Sequence, residues 1–168
     1  MPSDQNPTAG LGRRSYLAAT AAFKDGSDTP RDFLERCLEI IEAQEERVGA
    51  IVSTNLDGAR KAADEAGTRW KVGKTLSPID GMPIGIKDIM ETADMPTGQG
   101  SGLFTAWEGK RDCAAVAALR EAGAVIVAKM VTTEFASSHP SPTRNPWDTT
   151  RTPGGSSGGS GATVASAG

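Results

Sequence analysis

Histidine is nearly absent from the sequence. The single copy, His139, falls in a polar, proline-rich stretch and reads as a solvated loop residue. Two cysteines, Cys37 and Cys113, lie far apart. Together these residues cannot form the Cys/His cluster of a zinc site, and two distant cysteines are no disulfide framework. Each cysteine sits in an apolar helical pattern, where a small buried hydrophobe is the ordinary reading, and a reducing, cytoplasmic setting fits. Charge of one sign is also missing. With 18 Lys+Arg against 21 Asp+Glu and a net charge of −3, there is no electrostatic case for nucleic acid or an anionic membrane. No apolar run approaches the roughly 18 residues of a membrane span. Arg13-Arg14-Ser15-Tyr16-Leu17 matches the start of a twin-arginine export signal. The stretch after it, Leu17 to Phe23, is mostly alanine and is broken by Lys24-Asp25, so it does not make a signal's apolar region.

Glycine and proline are plentiful, at 20 and 10 of 168 residues, which points to many tight turns or backbone-built sites. Residues 1–12 are polar, Pro/Gly-rich and expected to be loose, and residues 13–168 read as part of one domain. Ser15 to Lys24 reads as a short helix stopped at Gly26. Thr29, Pro30 and Asp32 form a helix-start signature. The helix that follows carries Phe33, Leu34, Cys37, Leu38 and Ile41 on one face, with Glu35, Glu39, Glu42, Glu45 and Glu46 as its solvated side. Ala50 to Ser53 is a short strand candidate, and Leu56 to Trp70 is an alanine-rich helix whose Ala59, Ala62, Ala63 and Ala66 allow close packing. Pro83 to Asp88 is a second strand candidate. Arg111 to Ala122 reads as a helix with Ala114, Val116, Ala117 and Leu119 inward, closed by Gly123. Ala124 to Ala128 is a continuous apolar run, as expected of a strand covered on both faces. Helix, glycine, buried strand is the punctuation of an α/β sheet. Residues 137–153 read as loop. The Ser/Gly-dense run from Arg151 opens a helix that reaches the last residue without a stop signal, so the chain reads as a fragment of a longer protein.

Two segments carry chemistry. In Asp80-Gly-Met-Pro-Ile-Gly-Ile-Lys87-Asp88, Ile84 and Ile86 face one way and Gly85 and Lys87 the other. The glycine lets another backbone approach the lysine. A lysine so placed loses hydration, its pKa falls, and it can act as a base. The plainer alternative is a strand-end lysine that reaches solvent or pairs with Asp88. The second segment is Thr152-Pro-Gly-Gly-Ser156-Ser157-Gly-Gly-Ser160-Gly-Ala162. A flexible linker would not lead straight into an alanine/valine helix. A phosphate loop would need Gly-Lys-Ser/Thr, which is absent. Gly155 to Gly159 satisfies G-x-S-x-G centred on Ser157, yet no buried strand precedes it and no histidine follows. Without a usable histidine, serine chemistry needs another base, and lysine is the known substitute. A serine hydroxyl both donates and accepts, so it can relay a proton.

The two segments, in this order, closely resemble the amidase signature family. Supporting stretches match as well: Arg120 to Lys129, Thr133-Glu134-Phe135, and Arg144-Asn145-Pro146-Trp147. The resemblance runs from about Pro30 to Gly168. It implies an α/β fold in which a mixed β-sheet core is flanked by helices in an α/β/α sandwich, incomplete in this chain. It implies Lys87 as neutral general base and Ser156 as relay serine, joined to Gly155 by a cis peptide. Gly155, Ser157, Gly158, Gly159 and Ser160 form the supporting loop. The nucleophilic serine and the oxyanion donors belong to a later Gly-Thr-x-x-Gly-Gly-Ser stretch beyond Gly168.

The resemblance also implies amide hydrolysis by covalent acyl transfer with no metal or organic cofactor. The implied partner is a small-molecule amide, with neither nucleic acid bound directly nor a membrane; a homodimer is compatible with it. The first expectation is a small-molecule amidase, whose fragment alone lacks the attacking atom. The second is a glutamyl-tRNA(Gln) amidotransferase of the A type. Against the second stands Lys129-Met130-Val131-Thr132, where that type often reads Lys-x-Asn-Met. A third is a non-catalytic interaction protein that retains the scaffold.

Overall fold

The computed structural model describes residues 15–104 and 107–167, so the expected loose segment at 1–12 and Arg13-Arg14 lie outside the described residues. Helix α1 spans Tyr16–Asp25, with the Ser15 side chain accepting from Ala18 N and Gly26 closing the helix in the left-handed region. Helix α2 spans Pro30–Val48, with Thr29 accepting from Asp32 N as its cap. Strand β1 is Ile51–Thr54, helix α3 is Leu56–Lys71 and strand β2 is Pro83–Lys87. A long connection leads to helix α4, Ala114–Glu121, then strand β3, Val125–Met130, and finally helix α5, Gly158–Ala167. Each start has a local cause: a side-chain acceptor for orphan N–H groups at α1, α2 and α3, and proline at the first turn of α2.

The three strands form one mixed sheet in the order β1-β3-β2, with β1 antiparallel and β2 parallel to β3. Every residue of the central strand is buried. One sheet face packs Val125, Val127 and Met130 against Leu34 and Val48 of α2, Ala59 and Ala63 of α3, and Ala162 of α5. The other packs Ile86 and Ile126 against Met95 and Val116 of α4. The result is the mixed α/β fold, helices on both sheet faces, that the punctuation implies. Among the described residues no helix is long and apolar enough to cross a membrane.

A third cluster, Tyr16, Phe23, Phe33 and Trp70, joins α1, α2 and α3. Below it Asp80 is wholly buried and takes both Arg69 Nε (2.9 Å) and Nη2 (2.6 Å), while its carbonyl accepts from Trp70 Nε1 and the Tyr16 hydroxyl. Burial, and then the Asp80 charge, push the Tyr16 hydroxyl well above its ordinary range. This clamp fixes the turn from which β2 starts.

Several expectations are corrected. On α2, Ile40 is buried while Cys37, Leu38 and Ile41 are half-buried. Glu35 and Glu45 are not merely solvated: Glu35 receives Arg60 Nε (2.9 Å) and Arg31 Nε (2.8 Å), and Glu45 accepts from Ile51 N. Helix α4 starts at Ala114, and that residue is exposed; Arg111 and Asp112 instead pair with Glu91 and Arg120. Cys113 is the N-cap residue of α4, and both cysteines are half-buried and outside any disulfide. Strand β3 runs two residues past Ala128, and α5 begins inside the glycine-serine run.

Candidate active site

Parallel pairing sets which way the β2 side chains point. Ile86 pairs with Lys129 and Lys87 with Met130, so Lys87 and Met130 share the face opposite Ile86. Ile84 and Ile86 lie in the α4-side cluster, as their alternation implies. What crowds Gly85 is a side chain rather than a backbone: a Cβ there would stand 2.5 Å from Met130 Sδ. Lys87 is the last residue of β2 and is half-buried.

From this position Lys87 Nζ donates to Ser156 Oγ at 2.6 Å. Ser156 is presented by a loop gripped from the end of β3. The Ser156 carbonyl accepts from Thr133 N (3.0 Å) and Thr132 Oγ1 (3.1 Å), and the Gly155–Ser156 peptide is cis. Gly159 N donates to Val131 O at 3.0 Å, and a Cβ on Gly159 would stand 2.5 Å from both Ala50 O and Val131 N. Glycine is therefore required for α5 to come this close to the sheet. Gly158 and Gly159 are buried, Ser160 is half-buried, and Gly155 and Ser157 are exposed.

Beside the loop, the turn after β3 holds Phe135 at φ 48° and Ala136 at φ 54°. Two successive non-glycine residues in the left-handed region are uncommon and costly, and such geometry concentrates at functional sites. A cleft of about 570 Å³ opens here, lined by Thr133, Ala136, Ser137, Pro140, Gly155 and Ser156.

The family model described as Amidase matches residues 32–168. The chain belongs to the amidase signature family. It is 40% identical over 157 residues to the A-type subunit of the glutamyl-tRNA(Gln) amidotransferase of Chloroflexus aurantiacus (strain ATCC 29366 / DSM 635 / J-10-fl), covering 90% of this chain and 32% of that protein. Among solved structures, an amidase superposes with a TM-score of 0.78 at 33% identity, covering 92% of this chain and 36% of the other. The peptide amidase PAM, in complex with the competitive inhibitor chymostatin, superposes with a TM-score of 0.82 at 28% identity, covering 91% and 34%. The chain thus spans about a third of the length of the curated relatives it matches.

Within this amidase signature chain, the structure brings Lys87 and Ser156 together across the sheet edge. Among the described residues Lys87 Nζ bonds to the Ser156 hydroxyl and to neither the Ser157 nor the Ser160 hydroxyl. His139 is exposed. The suggested Lys87–Asp88 pair is absent from the described contacts, because alternation sends Asp88 to the opposite face, where Lys129 Nζ lies 2.9 Å from its Oδ1. Two features near the site are not marked by the two motifs. Thr132 and Thr133 hold the Ser156 carbonyl, and their neighbourhood of Thr133-Glu134-Phe135 was a usable signal. Lys129 was the other: a lysine at the end of a strand buried on both faces must find a carboxylate or several acceptors.

Proposed function

We propose that this chain supplies the base and the proton relay of a Ser-cisSer-Lys amidase that cleaves the C–N bond of a small-molecule carboxamide. The observation that carries the reading is the 2.6 Å separation of Lys87 Nζ and Ser156 Oγ, which is within the reach a proton transfer needs. The cleft beside Ser156 has room for a small acyl group. The nucleophile implied by the family resemblance is a serine outside these 168 residues. As its oxygen bonds to the amide carbonyl carbon, its proton passes to Ser156 Oγ, and the Ser156 proton passes to an uncharged Lys87 amine. Collapse of the tetrahedral adduct breaks the C–N bond. The leaving nitrogen takes a proton from Ser156, which is refilled from Lys87. Water then attacks the acyl ester through the same relay and releases the acid. Cys37 and Cys113, neither of them in a disulfide, support a cytoplasmic setting for this enzyme.

A second reading, a glutamyl-tRNA(Gln) amidotransferase of the A type, is favoured by the relatives at about 40% identity that carry that name. The bond cleaved is the same class; the substrate would be glutamine and the ammonia would pass to a partner-bound acceptor. Ammonia release by the complete gene product from propionamide, benzamide and L-glutamine separates the readings. Release from the simple amides supports the amidase, and release confined to glutamine supports the amidotransferase. No release from any amide, by a folded protein, points to the non-catalytic scaffold. Ser156→Ala should cut turnover severely while leaving a measurable residue, because the base remains and water can bridge to it.

A further inference from the structure

Strand β3 carries a charge where a strand covered on both faces has no water to offer one. Lys129 is 0% exposed and Asp88 is 1% exposed. Burying an ion pair costs several kcal/mol per ion in desolvation, and replacing such a pair by well-packed uncharged groups is often neutral or stabilising. Fold stability alone is therefore a weak account of its presence. Its position is more informative, since Asp88 directly follows Lys87 in the chain.

The pair lies behind Lys87, on the other sheet face. Lys129 Nζ lies 2.9 Å from Asp88 Oδ1, donates to Thr97 Oγ1 at 2.7 Å and donates to the Pro96 carbonyl at 3.1 Å. Asp88 Oδ2 accepts from Gly98 N at 3.0 Å. The Asp88 backbone is held on both sides, its N–H donating to Met130 O and its carbonyl accepting from Gln99 N, each at 2.9 Å. Residues 96–99 are thus bound to the end of β2 and to Lys129 as one unit. The same unit continues to the Ser156 loop. Phe135 N donates to Gln99 O at 2.9 Å, and Gly100 packs so that a Cβ would stand 2.8 Å from Thr132 O. Thr132 and Thr133 in turn grip the Ser156 carbonyl.

We infer that Lys129 and Asp88 are positioning residues whose buried ion pair locks the end of β2 to the 96–99 loop, and so aligns Lys87 Nζ on Ser156 Oγ. The inference rests on the reading of Lys87 and Ser156 as base and relay. Neither member of the pair touches the cleft or the transferred proton. Their effect is on distance, and a misplacement of about 1 Å in a reacting pair is worth about 10²-fold in rate.

The test uses the complete gene product, with ammonia release from propionamide or L-glutamine, and the variants Thr97→Val and Asp88→Asn/Lys129→Met. Thr97→Val removes one acceptor from Lys129 at constant shape. The double variant replaces both charges at once, leaving neither unpaired. Expected are a kcat lower by roughly 3- to 10-fold in Thr97→Val and by about 100-fold in the double variant. KM should stay within about twofold and the melting temperature within a few degrees, since the uncharged pair restores the fold without the alignment. A merely structural pair would let kcat recover together with the melting temperature, and that result overturns the inference. If the double variant does not fold, an unchanged kcat in Thr97→Val overturns it alone. Lys87→Ala is measured alongside: turnover retained there sinks the base assignment, whereas a dead Lys87→Ala beside fully active pair variants sinks only the positioning role. The distance is a second readout that needs no turnover. A crystal structure of the double variant, or of Thr97→Val where the double does not fold, should show Lys87 Nζ beyond about 3.5 Å from Ser156 Oγ, and an unmoved contact overturns the inference.

Discussion

Gly159→Ala is the sharpest probe of how the glycine-serine loop is held. The added Cβ would stand 2.5 Å from Ala50 O and from Val131 N, and 2.8 Å from Val131 O. Ordinary contact begins near 3.4 Å, so helix α5 must retreat by most of an ångström. All three opposing atoms are backbone atoms of the β1 and β3 ends, and none can swing aside as a side-chain tip would. Overpacking of this kind costs about 1–3 kcal/mol. The Gly159 N–H bond to Val131 O, 3.0 Å long, is stretched in the same movement, which adds about 1 kcal/mol. The expected loss is therefore roughly 2–4 kcal/mol. Gly161→Ala is the internal control, because it lies two residues on in the same helix with nothing within 4 Å of its Cβ position. There alanine should stabilise by roughly 0.5–1 kcal/mol through helix propensity. Urea denaturation followed by circular dichroism measures both variants. A Gly159→Ala protein as stable as the wild type, or two alanine variants shifted in the same direction, would refute the close-approach argument.

Three further outcomes follow from the same contacts. Asp80→Ala should destabilise the protein by about 3 kcal/mol, since it strips both bonds from Arg69 in a buried clamp; thermal unfolding within a degree of wild type would contradict the clamp. Glu35 sits at about 2, below its ordinary value of 4.5, held down by hydrogen bonds from Arg60 and then Arg31. Because the folded-state value is depressed, the stability it contributes is present above the ordinary carboxylate range and is lost as pH falls from about 4.5 towards 2. Glu35→Gln should therefore flatten the stability curve in that window, and an unchanged acid limb would remove the Arg60–Glu35–Arg31 cluster from the account. Ser156→Ala should lower turnover without lowering the unfolding temperature, and a parallel loss of both would make the serine a structural residue.

Much of the scaffold was legible because its signals are local. Thr29 with Pro30, and Ser15 with Gly26, mark helix ends through groups that act within a few residues. The apolar run that became β3 needed no partner to be recognised as a strand. The approach of Lys87 to Ser156 rested on two motifs in a fixed order and on a family resemblance, not on periodicity. What stayed unread is set by distant partners. Asp88 is adjacent to Lys87 in sequence, and only the pleat of β2 sends its carboxylate to Lys129. Helix α5 begins within a run of glycines, against their low helix propensity, and at Gly159 the sheet backbone stands too close for a side chain. Ala114 has the right residue type for a core face, but α4 is short and turns it to solvent.

The rate of acyl-enzyme formation in Lys87→Ala, followed by mass spectrometry in a single turnover of the complete gene product with a carboxamide, bears on the base directly. The contact between Lys87 Nζ and Ser156 Oγ predicts that no acyl adduct accumulates while the fold is retained. An adduct appearing at the wild-type rate would contradict it.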